Sequence, residues 1–309
     1  MKICFFGVGG VGGYFGALVA KRYKSQHEIY FIARGKHKDE IQTNGLTLKK
    51  SGGCEIINCM PDKCEEQVDS IPICDIIVLS VKSYDLEKAV NEIAKISDSN
   101  TVILPLLNGV DIYERIRENL TAGIVLPSCV YLGTHIESPG VIFQKGGSCK
   151  ILFGNDPLKP KGNLENLKSI LTESEIEYNH ETNVAVAIWS KFMFIASYGL
   201  VTATYNKTLG DVFADDELKN QTKSIMEEIN ALSQALNVPL PNNIIESSLL
   251  KAKDFPFEAK TSFQRDVESK GNVNESDLFG GTIIRLGHKL QIPTLSTIDV
   301  YERFLKMFI

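Results

Sequence analysis

The chain has 309 residues, long for a single hydrophobic core, so two domains are expected. It is 43% hydrophobic and 23% charged with a net charge of −5, and no basic stripe with interleaved aromatics suggests a nucleic-acid partner. No apolar run reaches the ~20 residues that span a bilayer, and the first residues read as a core strand rather than a signal peptide, so a cytoplasmic protein without a membrane partner is expected.

The apolar run Ile3-Cys4-Phe5-Phe6 leads into Gly7-Val8-Gly9-Gly10-Val11-Gly12, after which Tyr14, Phe15, Leu18 and Val19 recur at helical spacing. That order predicts a buried strand, a glycine turn and an amphipathic helix, the opening of a dinucleotide-binding βαβ unit. Gly7 permits the tight turn, Gly9 lets the backbone approach a pyrophosphate, and Gly12 lets helix and strand pack closely. The helix N-terminus offers amides and partial positive charge to phosphates.

Glu28 to Ala33 reads as the second parallel strand. Its end decides which nicotinamide cofactor binds. An NAD-selective unit places a carboxylate there for the ribose 2′-hydroxyl, whereas this chain has Ala33-Arg34-Gly35-Lys36, a basic loop that suits a 2′-phosphate. NADPH is the expected cofactor.

Gly45–Leu48 and Glu55–Ile57 flank Lys49-Lys50-Ser51-Gly52-Gly53, which predicts a hairpin inserted into the wound sheet. Cys54, Cys59 and Cys64 recur every fifth residue, without the two-residue gap of a zinc knuckle, and the histidines are scattered, so no metal site is expected. The odd total of seven cysteines suits reduced, packing thiols.

Asp75–Val81 is a third parallel strand ending in Lys82, and Thr101–Leu107 is a fourth that runs into Asn108-Gly109-Val110. Ligands of open α/β sheets sit outside the carboxyl ends of strands, which singles out Lys82 and Asn108. Asn108 is also suited to cap the helix that follows it. Segments near Ile124–Val130, Val141–Gln144, Lys150–Gly154 and Ile176–Tyr178 are expected to finish the sheet, with a helix near Leu164–Leu171. From Asn183 onward a 3.6-residue period takes over, with Ala185, Ile188, Trp189, Phe192 and Ile195 on one stripe. Further helices are expected near 216–236, 242–252, 262–270, 277–290 and 294–307. The predicted architecture is α/β: an N-terminal Rossmann-type doubly wound sheet over residues 1–181 and a C-terminal all-helical domain over residues 182–309.

These pieces resemble the ketopantoate reductase (2-dehydropantoate 2-reductase) family over nearly the whole chain. The resemblance rests on Gly7 to Gly12, Val81-Lys82, Leu107-Asn108-Gly109-Val110, Trp189-Ser190-Lys191-Phe192, Thr261-Ser262-Phe263, Arg265-Asp266-Val267-Glu268 and Asn274-Glu275-Ser276-Asp277. It implies reduction of the 2-keto group of ketopantoate by NADPH, on the route to pantothenate and coenzyme A, by a monomer or homodimer. The family's catalytic lysine matches Lys191 and its glutamate Glu275. The serine that holds the substrate carboxylate matches Ser262, Asn108 matches an asparagine near the nicotinamide ribose and the substrate, and Lys82 matches a lysine near both. Ser262 is also suited to cap its own helix.

The chain departs from the pattern at Ile195 and Gly199, four and eight residues after Lys191, where well-studied members carry asparagines. Both positions share a helical face with Lys191, and losing a polar partner for a substrate hydroxyl costs ~1–3 kcal/mol. Another 2-keto acid is therefore the alternative substrate, and a non-catalytic NADP-binding sensor the alternative role.

Overall fold

A computed structural model describes residues 1–51, 55–270 and 273–308. The chain divides into two compact units, Met1–Asn108 with Ile112–Val184, and Gly109–Asp111 with Ala185–Ile309.

The first unit contains, in chain order, β1 (Lys2–Phe6), α1 (Gly10–Arg22), β2 (Glu28–Ile32), α2 (Gly35–Asn44), β3 (Leu46–Lys50), β4 (Ile56–Cys59), β5 (Lys63–Glu65) and β6 (Ile76–Leu79). These are followed by α3 (Leu86–Ala94), β7 (Val102–Pro105), α4 (Ile112–Arg117), β8 (Ile124–Val125), β9 (Ser128–Ser138), β10 (Val141–Phe153), α5 (Glu165–Glu173) and β11 (Tyr178–His180). Six strands form one parallel sheet in the order β5-β2-β1-β6-β7-β8. β1, β6 and β7 are apolar almost throughout, as strands covered on both faces must be. The order reverses on either side of β1, which makes its carboxyl end the switch point where ligands of such sheets bind.

The hairpin strands expected around residue 50 pair antiparallel as β3 and β4, but they lie outside the wound sheet. They belong to a second sheet, β11-β10-β3-β4, with β9 paired to β10. Gly52, Gly53 and Cys54 lie outside the described residues. The later β segments also part company with expectation: only β8 joins the wound sheet, while β9 and β10 form a long antiparallel pair in the second. Local alternation cannot say which sheet a strand joins, since both offer the same backbone partners.

α1 explains the arrangement. It lies between the two sheets: a Cβ on Gly13 would sit 2.7 Å from Ile142 of β10, and one on Gly16 would sit 3.0 Å from Phe31 of β2. Gly12 to Ala17 are buried without interruption, so this helix is covered on both sides rather than amphipathic. Gly13 on the side of β10 and Gly16 on the side of β2 thin the helix enough to fit.

α4 is fixed by one buried ionic cluster. Asp156, fully buried, accepts hydrogen bonds from Tyr113 Oη (2.8 Å), the Val125 amide (3.0 Å) and the Leu158 amide (2.9 Å), and pairs with Arg117. Arg117 also donates to the carbonyls of Leu120, Ala122 and Gly123. Its charge is thus compensated where it is buried.

The second unit contains α6 (Val184–Tyr205), α7 (Leu209–Ala214), α8 (Asp216–Ala235), α9 (Ile244–Leu250), α10 (Ser262–Lys270), a π-helical turn over Asp277–Gly281, α11 (Thr282–Leu290) and α12 (Leu295–Lys306). Its ends are capped locally and at distance. Thr208 and Asp211 form a capping box on α7, Asp215 caps α8, and Glu228 of α8 accepts from the Ser296 and Thr297 amides at the start of α12. α6 corrects the reading of hydropathy. Its 22 residues, with a mean hydropathy of 1.7 over the most apolar window, meet the length and composition of a membrane span, yet 67% of that window is buried within the protein. It is a core helix.

Removing the Asp156 carboxylate strands Arg117 in a buried site. Asp156→Ala is therefore expected to lose about 3–5 kcal/mol in urea unfolding followed by circular dichroism, and a loss under about 1 kcal/mol would show that the cluster is not the anchor of α4.

Candidate functional site

In the first unit, Phe6, Ile32 and Leu79 stand in register across three strands, so β1, β2 and β6 end side by side. The chain leaving β1 turns at Gly7, whose φ of +94° is a left-handed conformation. The Gly7 and Val8 amides both donate to the Ile32 carbonyl, at 3.0 and 2.9 Å. A Cβ on Gly7 would lie 2.8 Å from the Ser80 carbonyl oxygen, and Ser80 Oγ donates to the Gly7 carbonyl at 3.0 Å. A Cβ on Gly12 would strike that same hydroxyl and carbonyl. Gly10 lies against Thr134 of β9, while the Val8 side chain is buried in the core and Val11 packs against it.

Gly9 is different. Its backbone is extended, with φ −95° and ψ −150°, and a Cβ there would meet nothing within 4 Å. Neither backbone strain nor packing within the protein accounts for glycine at this position. It borders open space at the N-terminus of α1, whose first amides lack carbonyl partners within the helix and whose first turn carries no acidic side chain. An anionic pyrophosphate fits that description of the space.

Arg34 follows β2, and the structure revises its setting. Gly35 and Lys36 are the first residues of α2, so the basic cluster stands at a helix N-terminus instead of in a loop. Arg34 is exposed and pairs with Asp85 at 2.9 Å, while Lys36 is exposed. One turn on, His37 Nδ1 accepts from the Gly140 amide at 3.0 Å, and burial pushes the imidazole below the usual histidine range. Lys82 is half-buried just after β6, preceding a short 3-10 turn over Ser83–Asp85. Asn108, also half-buried, follows β7 by three residues.

The second unit holds the remaining candidates. Lys191 and Ile195 are half-buried on a face of α6 that closes completely from Ala196 to Ala203. Glu275 is only 6% exposed and lies just before the π-helical turn, whose Phe279 amide donates to the Glu275 carbonyl. Ser262 opens α10 with its side chain exposed, and it is not the cap of that helix: Thr261 Oγ1 accepts from the Gln264 amide at 3.1 Å and exchanges a 3.0 Å hydrogen bond with Thr202 of α6.

Phenylalanines draw these segments together. Phe192, beside Lys191, stacks on Phe279 at 6.5 Å, and Phe279 packs against Phe263, beside Ser262, at 5.1 Å. A Cβ on Gly199 would touch Phe263 at 3.6 Å, an ordinary contact. One aromatic cluster thus joins the stretches of chain that carry the lysine, the glutamate and the serine. Sequence reading missed the cluster, because Phe192, Phe263 and Phe279 are separated by loops and each looks like a generic core residue.

Two family models cover most of the chain: that for ketopantoate reductase PanE/ApbA matches residues 3–157, and that for its C-terminal domain matches residues 183–303. The chain belongs to the ketopantoate reductase family. An oxidoreductase of Bacillus subtilis, YkpB, described as uncharacterized, is 23% identical over 96% of both chains. The crystal structure of 2-dehydropantoate 2-reductase from Porphyromonas gingivalis is 28% identical and superposes with a TM-score of 0.80, covering 99% of this chain and 98% of that one. D-mandelate dehydrogenase, solved with NADH and anilino(oxo)acetate, shares the fold at a TM-score of 0.85 and 18% identity, over 99% of this chain and 98% of that one. Members of the family are oxidoreductases that use nicotinamide cofactors on small keto acids, and this chain has the family's fold, a Rossmann-type sheet with a C-terminal helical domain.

Of the cysteines at fifth-residue spacing, the two described ones fall in different sheets. Cys59 lies in β4 of one sheet and Cys64 in β5 of the other, Cys54 lies outside the described residues, and burial pushes the Cys59 and Cys64 thiols up to about 12. Among the described residues no three His, Cys, Asp or Glu side chains are grouped to hold a metal ion.

The glycines separate by experiment. Gly9→Ala is expected to fold with a melting temperature within about 2 °C of the parent while weakening nicotinamide-cofactor binding at least about tenfold in a fluorescence titration. Gly7→Ala is expected to lose stability outright, because φ there is positive and a backbone carbonyl blocks the Cβ. Equal effects of the two substitutions on melting would show that Gly9 serves packing instead.

Proposed function

We propose that this protein is an NADPH-dependent reductase of 2-keto acids, with 2-dehydropantoate as its leading substrate and pantoate for pantothenate and coenzyme A synthesis as the product, acting in the cytoplasm. The observation that carries the reading is the aromatic cluster that joins the Lys191, Glu275 and Ser262 segments within a chain of the ketopantoate reductase family. Residues 1–181 would hold the cofactor, and residues 182–309 the catalytic groups and, apart from Asn108, the substrate groups.

On this reading the amides after Gly7-Val8-Gly9-Gly10-Val11-Gly12 bind the pyrophosphate, and Arg34 pairs with the 2′-phosphate. Lys82 and Asn108 orient the ribose and nicotinamide end, and Asn108 also faces the substrate. When bound, the cofactor supplies the hydride that reaches C2 of the keto acid. Lys191 donates a hydrogen bond to the keto oxygen and passes it a proton as negative charge develops there. Glu275, buried at 6% exposure, orients the Lys191 ammonium and accepts a hydrogen bond from a substrate hydroxyl. Ser262, exposed at the start of α10, hydrogen-bonds the substrate carboxylate.

One feature favours a second substrate. Ile195 and Gly199 place no hydrogen-bonding side chain on the face of α6 that carries Lys191. A 2-keto acid with an apolar side chain suits that face better than the hydroxyl-bearing ketopantoate. D-mandelate dehydrogenase, which shares the fold, was solved with anilino(oxo)acetate, a 2-keto acid derivative with an aromatic group.

NADPH consumption measured with ketopantoate and with apolar 2-keto acids decides among these readings. Lys191→Ala is expected to lower kcat about 10²–10⁴-fold, with NADPH affinity unchanged. A kcat/KM higher for an apolar keto acid than for ketopantoate would select the second substrate. Tight NADPH binding with no keto acid reduced by the parent protein would identify a non-catalytic sensor and overturn the reductase reading.

A further inference from the structure

The geometry points to Asp85 as a residue that sets cofactor specificity by competing with the cofactor's 2′-phosphate for Arg34. The inference rests on the assignment of Arg34 to the 2′-phosphate above. Arg34 leaves the end of β2 and Asp85 leaves the turn after β6, the strands on either side of β1. Their side chains meet at 2.9 Å, Arg34 Nη1 donating to Asp85 Oδ2, across the end of the strand that opens the glycine turn.

Asp85 stands where another use was at hand. It occupies the N-cap position of α3, a place where an aspartate ordinarily accepts from the helix's first amides, yet its side chain makes no capping hydrogen bond. The carboxylate turns to Arg34 instead. The partnership is easily exchanged, because 51% of the Arg34 side chain and 28% of the Asp85 side chain are exposed, and ion pairs in that setting are weak.

A 2′-phosphate that takes Arg34 must displace this carboxylate or share the guanidinium with it, and in either case it sits close to a like charge. The end of β2 itself presents no acid, and the carboxylate that pairs with this guanidinium comes from the turn after a different strand. Its consequence is a reduced preference for the phosphorylated cofactor: Arg34 attracts the 2′-phosphate while Asp85 taxes it. A cofactor with a free 2′-hydroxyl leaves the pair intact and pays nothing for it.

Calorimetric titration of the full-length protein with adenosine 2′,5′-bisphosphate and with adenosine 5′-monophosphate reads this without turnover. Asp85→Asn is expected to tighten the bisphosphate about 3- to 10-fold while leaving the monophosphate within about 2-fold. Arg34→Ala is expected to abolish the difference between the two ligands. An Asp85→Asn protein whose affinity for the bisphosphate is unchanged or weaker would overturn the competition, since Asp85 would then position Arg34. Weaker monophosphate binding in Asp85→Asn would overturn it in another way, with Asp85 accepting from the ribose hydroxyl. If Arg34→Ala leaves the discrimination intact, the assignment of Arg34 to the 2′-phosphate fails, whatever Asp85→Asn does.

Discussion

The close approach of three strand ends is the constraint on which the nucleotide-binding unit depends. Gly7 lies so near the Ser80 backbone that no side chain fits, and the Ser80 hydroxyl is spent on the Gly7 carbonyl. That contact ties the turn after β1 to the end of β6, while the Ile32 carbonyl ties it to β2 through two amides. The Gly7 and Val8 amides are satisfied in this way by the protein itself, which leaves the first amides of α1 for a ligand. The consequence is a rigid rim around the N-terminus of α1, with Gly9 bordering the open space beside it.

The helical unit is organised by different physics. α6 is buried all round from Ala196 to Ala203, and a helix of that kind gains its stability from packing rather than from surface charge. Phe192, Phe263, Phe279 and Phe304 supply it, with ring centroids 5.1–6.5 Å apart in the contacts that link them. Lys191 is half-buried on this helix, one residue before Phe192 of the cluster. Thr202 and Thr261 fasten α10 to the same helix, so the segment that begins at Ser262 inherits the position of α6.

Much of this was legible from residue order. The alternation of buried strand, glycine turn and helix is a local property, and so is the change to a 3.6-residue period after Asn183; each is written in the spacing of apolar residues. The family motifs are likewise short and linear. Less legible was the second sheet. β3, β4, β9, β10 and β11 have ordinary strand patterns, and only α1, flattened by Gly13 and Gly16, requires a second sheet to cover it. α7 escaped notice because it is six residues long, although the Thr208–Asp211 capping box announces it. The expected capping role of Ser262 went to its neighbour Thr261, since hydroxyls at adjacent positions compete for one amide and the backbone path chooses between them.

The sequence by itself determined the fold class, the glycine turn with its helix, and the identity of the charged and hydroxyl side chains available for chemistry, because these depend on interactions between residues near in the chain. Only the tertiary structure decided which glycine is free of the protein's own packing, that Glu275 is buried, and that Arg34 faces a carboxylate from a strand two places away in the sheet. Those features arise between segments 51 residues or more apart in the case of Arg34 and Asp85, and pairing at that range is set by sheet order and packing, on which local pattern is silent.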